Sequence, residues 1–327
     1  MLSIFRTNQI FANILLIIYA TITHISLFIV PSSWKPQNSG ILSDWVYSWL
    51  DVPSILASIF SILLVSFQAT IINFICIRYR MAAEINLFPG LFYILIVSLI
   101  PDFLHLSPIL LGNTFLIFAL YQLLETYKKY SAADNIYNVG LWIGVASLFY
   151  FSFAIFFLLG WLGLNILRAF KLKERIILLI GFLSPYLLTF TYAFWNDNSL
   201  AFLQKQGFSN LAFLDFATIE PLTLYVGGGT ILLLLLTALL SSRTYSLKKN
   251  IRVQKNINIL FLCLFISVFS LLFQSNIGIE HLLLLSVPLG IFISFNFTRM
   301  SNQMAESLHL IWLTLVLFWQ FFPLFQF

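Results

Sequence analysis

Residues 139–167 read VGLWIGVASLFYFSFAIFFLLGWLGLNIL: 29 positions without a charge, with Gly140, Gly144, Gly160 and Gly163 among them. About 20 apolar residues cross a hydrocarbon core. The stretch is therefore either one long tilted span or two shorter helices that enter and leave on one side. The choice sets the sidedness of everything that follows, and the basic residues decide it, because cytoplasmic loops carry the excess of Lys and Arg. With Arg6 inside and 139–167 folded as a hairpin, 15 of the 17 basic residues fall on the inner side. These are Arg6, Arg78, Arg80, Lys128, Lys129, Arg168, Lys171, Lys173, Arg175, Arg243, Lys248, Lys249, Arg252, Lys255 and Arg299. Only Lys35 and Lys205 are left outside. A single crossing would move ten of the basic residues outward. The pattern predicts a hairpin of two short helices turning near Tyr150 to Ser152.

Outward from this stretch, apolar runs of spanning length lie at about 10–30, 53–76, 87–101, 108–125, 176–195, 221–241, 257–274, 281–298 and 308–326. In lipid such runs are helical, since isolated strands leave their backbone groups unpaired. Barrel strands alternate in polarity, and these runs are continuously apolar. The expected fold is all-α: a polytopic membrane protein of about nine full spans plus the hairpin, N-terminus inside and C-terminus outside, with residues 1–327 forming a single integral membrane domain. The first run, from Ile10 to Val30, is too long for a signal-peptide core and is followed by no small-x-small cleavage site, so it reads as a retained span.

Composition agrees. Of 327 residues 60% are apolar and 9% charged, with mean hydropathy +0.96. A soluble domain, a disordered tail and a nucleic-acid-binding module are excluded. The net charge of +5 reflects orientation in the membrane rather than a nucleic-acid partner. Cys76 and Cys263 lie in apolar runs and read as small buried residues. The inner loops are too short for an ATPase or other soluble domain, and nucleotide-binding, zinc-protease, serine-hydrolase and EF-hand patterns are missing from the sequence. Gly227-Gly228-Gly229 inside a span reads as a close helix contact or a kink, and Gly140-x-x-x-Gly144 as helix packing within the chain.

Two outer loops remain. Pro31 to Val52 holds Trp34, Trp45 and Trp49, and its segment Ile41–Leu50 has apolar residues three and four apart, as in a helix lying flat at the headgroup level. Asn196 to Glu220 is the second, with Phe202, Phe208, Phe213 and Phe216 expected to dip towards lipid. On this topology the outer acids are Asp44, Asp51, Asp102, Asp197, Asp215, Glu220 and Glu280. Asp44 and Asp51 are seven apart and share a face if the segment is helical throughout. Asp102 and His105 are three apart between Pro101 and Pro108, and Glu280-His281 opens another run. A carboxylate near the end of an apolar run is suited to proton transfer when partly buried. The candidate catalytic residues are Asp44, Asp51, Asp102, His105, Glu280 and His281. The candidate substrate-binding residues are Trp45, Trp49, Lys35 and Lys205. No spacing demands a metal.

The layout resembles the GT-C class of membrane glycosyltransferases and the related polysaccharide polymerases. The matching features are Asp44 within Ser43-Asp44-Trp45 in the first outer loop, a second acid at Asp51, and the short pair within 139–167. The texture, rich in Phe, Ile, Asn and Lys, also resembles inner-membrane families of AT-rich Bacteroidota-type bacteria. The resemblance implies transfer of a sugar from a polyprenyl-phosphate donor at the outer surface of the bacterial inner membrane. An acid would act as base on the acceptor hydroxyl or hold a divalent metal on the donor phosphate. Two other readings stand beside it: a non-catalytic membrane partner of an envelope complex, and a lipid or solute transporter. Mid-span positions such as Gln68, Asn73 and Asn165 are polar but not ionisable, which counts against an ion-driven carrier.

Overall fold

The structure is a computed structural model that describes residues 2–6, 10–30, 34–82, 84–207, 210, 213, 221–246 and 249–322. Its regular elements are all helical. In chain order they are α1 (Ile10–Thr23), prolonged after a break at His24 by one turn, Ser26–Ile29; α2 (Ile41–Trp49); α3 (Ile55–Arg78); α4 (Phe88–Val97); α5 (Pro108–Glu125); α6 (Ala133–Phe149); and α7 (Phe157–Leu167), entered through a 3₁₀ stretch at Phe151–Phe156. There follow α8 (Leu172–Trp195), α9 (Ser199–Gln206), α10 (Gly229–Leu240), α11 (Ile251–Ser270), α12 (Ser286–Arg299), which a 3₁₀ stretch at Ile279–Leu285 precedes, and α13 (Asn302–Phe321).

Six of the expected runs form helical stretches long and apolar enough to cross a bilayer: 55–78, 108–125, 172–195, 251–270, 279–299 and 302–321. The runs at 10–30, 87–101 and 221–241 form shorter pieces. The shortest is α4, whose ten residues rise ~15 Å, half a hydrocarbon core. Pro89 sits in its first turn and Pro101 follows its end, so the helix cannot be extended far in either direction. A helix this short survives at membrane depth because protein covers it: all ten residues are buried. The mid-span amides hold the backbone around it. Asn73 Oδ1 accepts from Gly90 N at 2.7 Å, and Tyr93 Oη donates to Gln68 Oε1 at 2.5 Å. Gln68 Nε2 donates to Leu110 O at 2.8 Å, and Asn113 Nδ2 to Leu283 O at 3.1 Å. These polar residues join α3, α4, α5 and the 3₁₀ stretch ahead of α12, as interhelical hydrogen bonds do in lipid.

The hairpin at 139–167 is present, with longer arms than expected: α6 begins at Ala133, and each arm has 17 residues. The turn falls at Tyr150, whose extended backbone (φ −147°, ψ 119°) ends α6. The open end is closed by Arg168, which donates through Nη1 to Thr126 O (2.8 Å) and Lys129 O (2.6 Å) and pairs with Glu174 at 3.0 Å. The loop entering the hairpin and the residue leaving it are therefore on one face of the bundle.

That face carries the other basic loops. Lys249 Nζ reaches Met81 O at 2.8 Å, the Arg252 guanidinium lies over the Tyr79 and Tyr127 rings, and Arg6 approaches Glu84 at 4.0 Å. The opposite face is joined just as clearly. Gly40 N and Ser43 Oγ both donate to Phe149 O at the hairpin tip (2.8 and 2.9 Å), Asn38 Nδ2 to Ser275 O (3.0 Å) and Gln206 Nε2 to Leu148 O (3.1 Å). The positive-inside rule predicts that the first face is the cytosolic one.

Glycines decide how closely helices approach. A Cβ at Gly140 would lie 2.2 Å from Leu178 O, one at Gly144 2.5 Å from Phe182 O, and one at Gly181 2.2 Å from Tyr137 O. The Gly140/Gly144 pair thus seats α6 on α8 within the chain. The Gly227–Gly229 run sits at an irregular and tightly packed point of its span. A π-helical turn spans Leu224–Gly228, and a Cβ at Gly227 would meet Ile100 Cδ1 at 2.5 Å.

Candidate functional site at the outer face

The interfacial helix is α2. Leu42 and Val46 pack onto a small core of Ala57, Leu106, Leu111 and Phe149, while Trp45 and Trp49 point away and are 61% and 76% exposed. Their rings meet edge to face at 5.8 Å. Tyr47 Oη donates to Leu106 O at 2.9 Å, and burial raises its pKa. An amphipathic segment anchored on one side and aromatic on the other is what the headgroup region favours. The helix ends at Trp49: Leu50 is extended (φ −118°, ψ 105°), and the coming Pro53 disfavours helix at Val52. This corrects the expectation that Asp51 shares a face with Asp44. Asp51 is exposed on the turn beyond the helix.

Asp44 lies in the first turn of α2, where the helix dipole favours a carboxylate. Ser39 Oγ donates to its Oδ1 at 2.6 Å, and Lys205 of α9 forms an ion pair with its Oδ2. Both charged groups line a cavity of about 720 Å³. Its walls are mainly apolar: Leu42 and Trp45 from α2, Leu188 and Tyr192 from α8, Ala201 and Phe202 from α9. The outer half of α8 is lipid-accessible in character, with Leu187, Leu188, Tyr192 and Trp195 all more than 60% exposed. Phe202 does not turn to lipid as expected; it is buried, 5.5 Å from the Phe190 ring. Phe213 is exposed. Phe208, Phe216, Asp215 and Glu220 lie outside the described residues.

A second group forms some way along the same loop. Trp34 stacks on His105 (4.9 Å, interplanar angle 10°), and its Nε1 donates to Glu280 Oε1. Trp34, Lys35, Asp102 and Glu280 line a cavity of about 330 Å³. Burial lowers the His105 pKa to about 4, so the ring is neutral near pH 7. His281, next in sequence to Glu280, lies deeper. It is 1% exposed and held through both nitrogens, by Tyr150 Oη at 2.8 Å and Ser270 Oγ at 2.8 Å.

The ten candidates therefore divide. Asp44, Trp45 and Lys205 share the lining of the large cavity. Lys35, Asp102 and Glu280 line the small one, with His105 stacked on Trp34 behind it. Asp51, Trp49, His105 and His281 are in neither lining. Sequence reading missed two supporting residues, Ser39 on Asp44 and Trp34 between His105 and Glu280. Ser39 carried a faint signal, a hydroxyl just ahead of the helix start; nothing in the sequence pairs Trp34 with residues so distant. Among the described residues no group of three His, Cys, Asp or Glu side chains converges as a metal cage. A divalent ion at Asp44 would have to draw most of its ligands from a phosphate and water.

No family model matches the sequence, and no curated protein matches it. Among solved structures the chain is similar to the crystal structure of ArnT from Cupriavidus metallidurans bound to undecaprenyl phosphate. The TM-score is 0.52 at 14% identity, over 87% of this chain and 56% of that one. The chain spans about half the length of ArnT. The likeness is one of fold, and it supports the resemblance to the GT-C membrane glycosyltransferases in architecture.

Proposed function

We propose that this protein is a glycosyltransferase or polymerase of the bacterial inner membrane that takes a sugar from a polyprenyl-phosphate carrier at the outer surface. The observation that carries the reading is the Asp44–Lys205 pair on the wall of an apolar cavity beside lipid-exposed α8. A polyprenyl-phosphate sugar is an apolar chain ending in an anion. The cavity wall suits the chain, Lys205 suits the phosphate, and Trp45 suits the headgroup level. The ArnT structure, with undecaprenyl phosphate bound on a similar fold, supports the same ligand class.

In this reading the phosphate draws Lys205 away from Asp44. The freed carboxylate accepts the proton of an acceptor hydroxyl as that oxygen bonds to the anomeric carbon. The bond from that carbon to the phosphate oxygen breaks, and polyprenyl phosphate leaves with the electron pair, its charge balanced by Lys205. Ser39 orients Asp44 through Oδ1.

The pairing of Asp44 with Lys205 also suits a second reading, a non-catalytic partner within an envelope complex. One experiment separates the two. Purified protein is tested for binding of undecaprenyl phosphate, and cells carrying Asp44→Asn are tested for envelope glycans. The enzyme reading expects binding and a fall in glycan synthesis of ~10²–10⁴ with protein still in the membrane, while Asp134→Asn on the inner face does little. No binding together with unchanged glycans would replace it with the partner reading.

A further inference from the structure

At the opposite face, five basic residues converge on two adjoining cavities. Arg78, Arg80, Lys249 and Arg252 line one of about 340 Å³, and Lys128, Lys249 and Arg252 line its neighbour of about 590 Å³. They come from three separate chain segments: the end of α3, the end of α5 and the start of α11. Like charges brought together repel, and the arrangement is nonetheless built and braced. Arg252 lies 5.3 Å from the Tyr79 ring centroid and 6.0 Å from that of Tyr127, and Lys249 Nζ is fixed on Met81 O at 2.8 Å. Glu125 is the acid that meets the group, and it is engaged by Arg78 at 3.0 Å and by Tyr79 Oη at 2.6 Å.

The backbone adds a second observation. Arg80 (φ 48°) and Lys128 (φ 56°) both hold the left-handed conformation just past a helix end. Gly or Asn is usual there, because the Cβ of a longer residue crowds the following carbonyl oxygen. The helix ends alone do not require Arg and Lys at these strained positions, whereas a site needing cations on both sides of Lys249 and Arg252 does.

We infer that the two cavities form one binding site for a phosphate-bearing anion at the cytosolic face. Arg80 and Arg252 supply planar donors for phosphate oxygens, Lys128 and Lys249 supply ammonium groups, and Tyr79 and Tyr127 stack behind Arg252. The phosphate can arrive as the headgroup of an anionic lipid or as a free phosphate from the cytosol. The site is separate from the outer cavity and does not rest on the proposed transferase activity.

The full-length protein is reconstituted in phosphatidylcholine nanodiscs with graded cardiolipin, and retained cardiolipin is counted by native mass spectrometry. The triple variant Arg80→Gln/Lys249→Gln/Arg252→Gln should retain it at least about tenfold more weakly, since three of the five cations facing the phosphate are removed. Lys171→Gln/Lys173→Gln, on the same face but outside both linings, should match wild type. In parallel, amine labelling of Lys249 in the wild type is followed with inorganic phosphate or chloride at equal ionic strength, a readout independent of variant folding. Cardiolipin retention lost in the triple variant identifies the lipid source. Phosphate protection of Lys249 without cardiolipin retention identifies the free anion. Cardiolipin retention equal in all three proteins, or absent from all, with no phosphate protection would overturn the site.

Discussion

Lys205 and Asp44 meet as an ion pair although they belong to different outer loops, and together they give the large outer cavity its charge. Both side chains remain partly exposed, at 46% and 38%. Pairs this exposed contribute about 0–1 kcal/mol to stability. A stabilising role therefore predicts almost no phenotype on removal. A role in phosphate binding predicts a large one.

The two can be told apart with Lys205→Gln. Its melting temperature in detergent should stay within a few degrees of wild type, while the KM for a polyprenyl-phosphate sugar rises and kcat falls less. Asp44→Asn should show the reverse split, a large loss in kcat with KM little changed. Equal KM and kcat for Lys205→Gln and wild type would remove Lys205 from the site.

Arg168 closes the open end of the hairpin with two carbonyls and a carboxylate in a pocket where both members of the ion pair are only 11% exposed. Arg168→Gln leaves Glu174 without its cation, so the loss of stability should approach ~3 kcal/mol, as for a broken buried pair. Reporters fused near Tyr130 and near Lys171 should give the same side. A cysteine at Asn250 should be shielded from an impermeant thiol reagent in intact cells, whereas one at Leu200 should react.

The glycines of the α6–α8 contact and the glycine at the start of α10 should behave oppositely. Gly140→Ala places a methyl against Leu178 O and should lower the melting temperature, with a cost of about 1–3 kcal/mol for overpacking. Nothing lies within 4 Å of a Cβ at Gly229, which has helical backbone angles. Gly229→Ala should be neutral or stabilising by up to ~1 kcal/mol. Two melting curves decide it.

His105 makes the fold sensitive to acid. Its pKa is about 4 when folded against an ordinary 6.5, because burial disfavours the imidazolium. The unfolded chain takes up this proton first as pH falls below 6.5. Stability is lost progressively from there down to about pH 4 and returns as pH rises. The melting temperature should drop between pH 7 and pH 5, and by less in His105→Gln. An identical drop in the two proteins would show that the Trp34–His105 stack tolerates the charge.

The fold was legible where composition and charge were enough. The uncharged run at 139–167 and the basic residues flanking it specify a hairpin, because burying charge in lipid and inverting the basic loops both cost more than a turn at Tyr150. Ile41–Trp49 was legible as an interfacial helix from its own periodicity. The length of α4 was less so: the run 87–101 looks like a span, and only neighbours that cover its ends and supply Asn73 and Gln68 permit ten residues to suffice.

For the candidate site, hydropathy and basic-residue placement were enough to assign ionisable residues to the outer face, since lipid excludes them from the spans. Asp44, Lys205, Lys35, Asp102, His105 and Glu280 all follow from that one constraint. Which of them meet emerges from the packing of the helices. It joined Asp44 to Lys205 and Trp34 to His105 and Glu280, withdrew His281 into a Tyr150–Ser270 clasp, and left Asp51 on an exposed turn. The reason is physical. A hydropathy profile records how far along the membrane normal a residue lies, whereas pairing depends on lateral position, which is set by helix contacts such as Gly140 against Leu178 and by hydrogen bonds such as Ser43 to Phe149 between residues far apart in the chain.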